Sequence, residues 1–240
     1  MSFCEKYFEI MDKNFPDKRY STDELAGKFE ILYNELVAFN EKVNLTAVTD
    51  IEGVIAKHFA DSLLIEEYIP EGSEVIDVGC GGGFPTLPLA IVRKDLEITA
   101  LDSTQKKLNF VSEMAQKLSL NVSVLCARAE ETARKDEYRE SFDVCVARAV
   151  ARLNILSELC IPLVKKGGLF ISCKAAIGEE EYREAKNGTE LLGAKTKNTF
   201  TPILHTVTEE QKRSIFIFEK VEHTPQKYPR QYAKITKKPL

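Results

Sequence analysis

The sequence predicts an α/β fold: a doubly wound, mostly parallel sheet of about seven strands, preceded by a helical N-terminal extension. Three observations carry this. From Ser73 onward, short apolar β-branched runs alternate with helix-length segments, as in parallel strands covered on both faces. One run, Val75-Ile76-Asp77-Val78, opens into Gly79-Cys80-Gly81-Gly82-Gly83, a loop almost free of Cβ atoms that can turn tightly and admit a ligand against its backbone. Ahead of it, apolar residues recur at helical rather than alternating spacing.

In the extension, Ser21-Thr22-Asp23-Glu24 fits a capping box in which Ser21 caps the Glu24 amide and Glu24 reaches back. Leu25, Phe29, Leu32, Leu36, Phe39 and Val43 then form one continuous stripe. A second helix is expected over 51–68, with Asp50 as N-cap and Pro70 beyond its end. Strands are expected at 74–78, 97–101, 121–126, 142–147 and 169–174, and helices at 86–93, 104–118, 129–137 and 153–164. Segments 199–207 and 213–221, joined by a short polar turn, read as an antiparallel pair at the sheet edge. The organisation is thus a helical extension over 1–70, a core over 71–222 and a basic tail over 223–240.

With 240 residues, 44% of them hydrophobic, the chain can bury a sizeable core. Met1-Ser2-Phe3-Cys4-Glu5-Lys6 lacks the layout of a secretory leader, and no apolar run approaches the roughly 18 residues of a membrane span. The six cysteines (4, 80, 126, 145, 160 and 173) form no Cys-x-x-Cys pair, and the three histidines lie far apart, so no zinc site is expected. A reducing, cytoplasmic setting follows as the expectation. The formal net charge is −4, yet Lys220 to Leu240 holds six basic residues against one acid. That tail interleaves Tyr228 and Tyr232 with its charges, as suits a polyanion whose bases can stack; a solvated, frayed terminus would have the same composition.

Ligands of such sheets bind beyond the C-terminal strand ends, where strand order reverses. Asp77 and Gly79 end the first strand and Asp102 the second. Asp102 can accept both hydroxyls of a ribose or cap the helix that follows; its distance from the glycine loop favours the ribose. A dinucleotide site wants a small residue where this loop has Phe84, followed by Pro85. S-adenosylmethionine has no pyrophosphate and suits the acid-Gly-x-Gly-x-Gly layout of Asp77, Gly79, Gly81 and Gly83, with Asp77 organising the loop or the methionine ammonium.

Further segments make the comparison specific. They are Phe39-Asn40-Glu41-Lys42-Val43-Asn44-Leu45-Thr46, His58-Phe59-Ala60-Asp61-Ser62-Leu63, Asp77 to Pro85, Leu101-Asp102-Ser103, Arg128-Ala129-Glu130, Ala147-Arg148-Ala149 and Lys227-Tyr228-Pro229-Arg230. With these the chain resembles the small-subunit ribosomal RNA methyltransferase G family over nearly its whole length. The resemblance implies a class I S-adenosylmethionine-dependent methyltransferase, Rossmann-like in fold, acting on N7 of a guanine in 16S rRNA near the decoding centre, as a monomer without membrane contact. It implies cofactor contacts at Gly79, Phe84, Ala129, Glu130 and Arg148, joining Asp77, Gly81 and Asp102. Phe84 would wall the donor or fill the core at the helix start. Glu130 would meet the adenine or serve as a first-turn acid. Arg148 would bind the methionine carboxylate or an RNA phosphate. Candidates for the RNA side are Arg148, His58, Asp61, Lys227 and Arg230, although His58 and Asp61 equally suit polar helix packing.

Ala147-Arg148-Ala149-Val150 does not match the Asp/Asn-Pro-Pro-aromatic motif of amino-group methylation, and Cys145 lies inside a strand run rather than in a Pro-Cys loop. Guanine N7 presents a free lone pair, so no general acid or base is expected. The tail departs from the family's Tyr-Pro-Arg-Lys-x-Gly-x-Pro pattern after Arg230, which leaves its conformation open but not its charge. A methyltransferase of small molecules and a non-enzymatic RNA-binding protein are the alternatives.

Overall fold

A computed structural model describes residues 1–148, 150–175 and 179–240. Five parallel strands form the body of the sheet: β1 (Glu74–Val78), β2 (Glu97–Asp102), β3 (Val122–Cys126), β4 (Phe142–Arg148) and β5 (Val164–Ala175). Three more follow, β6 (Ala194–Phe200), β7 (Ile203–His205) and β8 (Glu210–Lys220), with β8 antiparallel to β5, β6 and β7. The order is β3-β2-β1-β4-β5-β8-β6, with β7 paired to β8. Strand order therefore reverses between β1 and β4, which opens a crevice at their C-terminal ends.

Alternation along β1 sends its side chains to two cores. Val75 lies in the core on one face with Tyr7, Phe29, Phe59, Leu89 and Phe110, from α1 (Phe3–Asn14), α2 (Asp23–Asn40), the helical segment 51–63, α5 (Thr86–Val92) and α6 (Gln105–Lys117) respectively. The segment 51–63 comprises α3 (Ile51–Val54), a π-helical turn over Ile55–Ala60 and α4 (Asp61–Leu63). Ile76 and Val78 pack on the opposite face with residues of α8 (Leu153–Cys160) and with Phe170 and Phe218. That face also includes α7 (Ala129–Thr132), α9 (Glu179–Leu191) and α10 (Tyr232–Lys237). The apolar stripe of α2 buries Phe29, Leu32 and Leu36 completely, and Phe29 meets Tyr7 and Phe59 at ring distances of 5.4 and 4.8 Å.

Several boundaries differ from the sequence reading. Ser21 does not cap α2; its hydroxyl is taken by Asp12, and Thr22 accepts the Leu25 amide at 3.3 Å instead. The capping box is at Ser2–Glu5. Asp50 does cap its helix, accepting from the Gly53 amide at 2.7 Å, but the expected helix over 51–68 passes through the π turn and ends in a 3-10 turn, Glu66–Tyr68. The helix expected over 129–137 stops at Thr132, and that over 153–164 gives way to a 3-10 turn at Ile161–Leu163 where Pro162 lacks an amide proton. The segment expected over 199–207 is split, because β6 begins at Ala194 and β7 is a separate short strand. Helix α9 had no clear apolar stripe in the sequence, where charged residues dominate 179–190.

The C-terminal tail is docked rather than frayed. Glu158, fully buried on α8, accepts from the Arg230 amide at 2.7 Å, from Nε at 2.9 Å and from Nη2 at 2.6 Å. Arg139 donates to the carbonyls of Tyr228 and Thr224, each at 2.8 Å. Lys220, 1% exposed, is surrounded by Glu140 at 2.9 Å, Thr224 Oγ1 at 2.8 Å and the Ile161 carbonyl at 3.0 Å. Burial pulls its ammonium below the ordinary lysine range, against the pull of Glu140. Two of the six basic residues over 220–240 thus belong to the fold, and Arg230, an expected RNA contact, anchors the tail. Glu158→Gln removes the charge under that anchor and should destabilise the protein by about 3 kcal/mol. Limited trypsinolysis checks it: cleavage should rise at Lys234 and Lys237 while the sheet core stays intact.

Candidate functional site

The glycine loop gets its shape from two carboxylates beneath it. Asp102 Oδ2 accepts from the Gly81 amide at 3.1 Å and Oδ1 from the Thr104 amide at 2.8 Å. One side chain therefore ties the end of β2 to the loop after β1 and to the start of α6, and each oxygen keeps a lone pair. Asp77 Oδ2 accepts from the Thr86 hydroxyl at 2.6 Å and from its amide at 3.2 Å, holding the start of α5. Its other oxygen, Oδ1, is buried without a hydrogen-bond partner. Burial pushes the Asp77 carboxyl up to about 6, against the two hydrogen bonds from Thr86.

Gly79 and Gly81 lie at φ +73° and +56°, in the left-handed region that disfavours side chains. A Cβ on Gly79 would come within 2.7 Å of Val150, whereas one on Gly81 would meet nothing nearer than 4.0 Å. The space that Gly81 leaves is part of a cleft of about 340 Å³, bounded also by Gly79, Asp102, Lys107, Ala129, Glu130, Arg148 and Tyr232. The structure thus brings together six of the eight expected cofactor residues. Asp77 lies below the loop, and Phe84 stands elsewhere. The Phe84 ring is 6% exposed, packs in the core and stacks on His58 at 4.6 Å and 16°, the core placement that the sequence leaves open beside a wall of the donor.

Arg148, at the end of β4, is held from the N-terminal extension. Its Nη1 donates to Asp61 Oδ2 at 2.8 Å and to the Lys57 carbonyl at 2.9 Å. The second Asp61 oxygen accepts from Arg213 Nε at 2.7 Å. His58 lies 3.5 Å from Arg148 Nη2 through Nδ1 and 2.7 Å from the Thr46 hydroxyl through Nε2. Burial, with help from the Arg148 cation, lowers the imidazole to about 4, so His58 is neutral at pH 7. The expected RNA candidates His58 and Asp61 are therefore partners of Arg148. Lys227, by contrast, is exposed, with its ammonium 5.2 Å from the Tyr228 ring centre. Ala149, third residue of the β4 motif, lies outside the described residues.

Sequence reasoning missed Arg213, which stands within β8 among ordinary strand residues and gave no signal. Thr46 and Tyr232 had been noticed, one in a motif and one among the tail aromatics, but neither had a site role. Among the described residues no cluster could hold a metal ion, and no helix is long and apolar enough to cross a membrane.

Comparison with solved structures gives the fold its class. The chain aligns with the structure of M. jannaschii TYW2 in complex with AdoMet at a TM-score of 0.52 and 19% identity, covering 67% of this chain and 77% of that one. It aligns with a precorrin-6y C5,15-methyltransferase from Geobacter metallireducens at 0.50 and 15%, covering 75% and 92%. This is the Rossmann-like fold of S-adenosylmethionine-dependent methyltransferases. The sequence profile described as rRNA small subunit methyltransferase G (GidB) matches residues 26–214. Relatives named ribosomal RNA small subunit methyltransferase G, from Lactobacillus delbrueckii subsp. bulgaricus and Lysinibacillus sphaericus, are each 44% identical, over 89% of this chain and 90% of theirs. The chain belongs to the rRNA small subunit methyltransferase G family and is an S-adenosylmethionine-dependent enzyme.

The cleft fits that cofactor, with a cradle opened by Gly81 and spare lone pairs on Asp102. Gly81→Ala should cost about 1 kcal/mol of stability through its left-handed backbone. The same methyl group should occupy the cleft and weaken S-adenosylhomocysteine at least tenfold by calorimetry. For His58, the unfolded chain binds more protons than the folded one between pH 6.5 and about 4, so its contribution to stability falls as pH drops through that window. Compared with His58→Gln, the wild type should lose up to about 3 kcal/mol across it, read from denaturant midpoints.

Proposed function

We propose that this chain methylates N7 of a guanine near the decoding centre of 16S rRNA, acting as a cytoplasmic monomer. In this reading residues 1–70 are a helical extension, 71–222 the methyltransferase core and 223–240 an RNA-contacting tail. The observation that carries it is the juxtaposition of the donor cleft with a cationic groove that shares its rim. Arg128, Glu130 and Tyr232 border both, and Arg134, Lys227 and Lys234 extend the groove, whose volume is about 790 Å³. Such a stripe suits a phosphate backbone, with Tyr232, 41% exposed, available for stacking.

Gly79, Gly81, Ala129 and Glu130 would hold the cofactor, with Asp102 on the ribose hydroxyls and Asp77 Oδ1 on the ammonium. Bound S-adenosylmethionine supplies a methyl group activated by its sulfonium. Guanine N7 needs no deprotonation, and the residues nearby agree with that chemistry. Both Asp61 oxygens are engaged by arginines, and neutral His58 is bonded to Thr46, so neither stands ready as a general base. What the chain contributes is proximity and alignment, with Arg148 fixed at the mouth of the cleft.

N7-methylguanine mapped in 16S rRNA should vanish at one position when the gene is deleted and return with the wild-type gene but not with Asp102→Ala. An unchanged map overturns the reading. Replacing Lys227 and Lys234 by Gln should raise KM for the RNA substrate and lower the slope of log affinity against log salt by about 1.5 to 2, while S-adenosylhomocysteine affinity stays unchanged.

A further inference from the structure

Beside the donor cleft lies a second, more enclosed cavity of about 220 Å³, beyond the ends of β4 and β5 and beneath the segment 55–65. Among the described residues, Arg148 alone borders both spaces. The cavity is walled by apolar Leu64, Ile65 and Ile215 and carries Lys57, Asp61 and Arg213. A transferase acting on a base in RNA needs such a space, since the base must leave its stack to reach the donor.

The cavity's polar groups differ in availability. Arg148 and Arg213 are both spent on Asp61, and Lys174 is held by Glu181 and the Ala151 carbonyl. Lys57, which also borders a small pocket with Asp50 and Glu52, makes no side-chain hydrogen bond and no ion pair within 4 Å among the described residues. Asp61 accepts one hydrogen bond on each oxygen from these arginines and so retains acceptor capacity. Lys57 and Asp61 stand four residues apart, a spacing that places side chains on one face of a helix, here through the π turn that often marks a functional site.

A free donor beside an acceptor matches the Watson–Crick edge of guanine, whose O6 accepts while N1–H and N2–H donate. Adenine presents the opposite pattern, a donor at N6 and an acceptor at N1. We infer that this cavity takes the extruded target guanine, with Lys57 donating to O6 and Asp61 accepting from N1–H and N2–H, so that this pair sets the choice of guanine over adenine. Held by that edge, the base keeps N7 free for transfer. Lys57 is then a specificity residue. The inference rests on the functional reading above and names the substrate subsite within it.

The test uses the full-length protein and small subunits reconstituted with 16S rRNA carrying either guanine or 2-aminopurine, which lacks O6 and N1–H, at the mapped position. For the wild type, kcat/KM should fall by about 100-fold or more on going from guanine to 2-aminopurine, as expected when a buried donor loses its acceptor. Lys57→Ala should lower kcat/KM for guanine by about 10- to 100-fold and shrink the ratio between the two bases by a similar factor. Its affinity for S-adenosylhomocysteine, measured by calorimetry, should stay within about twofold, which certifies the fold. An unchanged ratio in Lys57→Ala, or wild-type kcat/KM for guanine, overturns the inference while leaving the methyltransferase reading intact. A wild-type protein that methylates neither substrate overturns that reading and the inference with it.

Discussion

The Asp61 carboxylate holds the two halves of the active end together. It sits in a segment of the N-terminal extension, yet its oxygens are bonded to Arg148 at the end of β4 and to Arg213 on β8. With 11% of its side chain exposed, and 16% and 14% for the two arginines, the group is poorly screened by water. Such a pair is costly to desolvate and strongly destabilising to break singly. It persists because each arginine oxygen contact is geometrically good and because the Lys57 carbonyl adds a further acceptor for Arg148. The extension is therefore not an appendage to the sheet; it fixes the guanidinium that stands between donor cleft and second cavity.

Around that clamp the protein divides its polar groups between two kinds of duty. Asp102, Asp77, Glu158 and Lys220 are bonded mainly to backbone amides or carbonyls and to buried partners, and they shape loops and secure the tail. Lys57, Lys227 and Lys234 are left open toward cavities. The distinction follows from burial: a cation deep in the protein must find a partner, whereas one facing water or a groove need not. A tail that is anchored at Arg230 and Tyr228 can present Lys227 and Lys234 as a fixed edge of the groove beside the donor cleft.

How far the sequence could reveal this depended on the range of the interaction. The alternation of strands and helices, the glycine loop and the acid after β2 all arise from local patterns, and each stands where periodicity and turn chemistry place it. The α2 cap was missed by one residue because Ser21 and Thr22 are equally good caps, and only the distant Asp12 decides between them. Arg213 was invisible for the same reason on a larger scale, since its role exists only because β8 returns beside β5 and faces a helix some 150 residues earlier. For Phe84 the sequence leaves a donor wall and a core contact both open, because a motif position does not say which way an aromatic ring packs; here His58, 26 residues before it, supplies a stacking surface. The charge of the tail was legible, but not which of its cations the core would claim.

We propose that Asp61 acts on the reaction through Arg148. A double-mutant cycle on kcat/KM for 16S rRNA methylation tests it most directly, using Asp61→Asn, Arg148→Gln and the combination. If the clamp is the means by which Asp61 acts, the double variant should be scarcely worse than Arg148→Gln alone, with a coupling of about 1.5 kcal/mol or more. Losses that simply add would contradict it, and would place the two residues in separate roles.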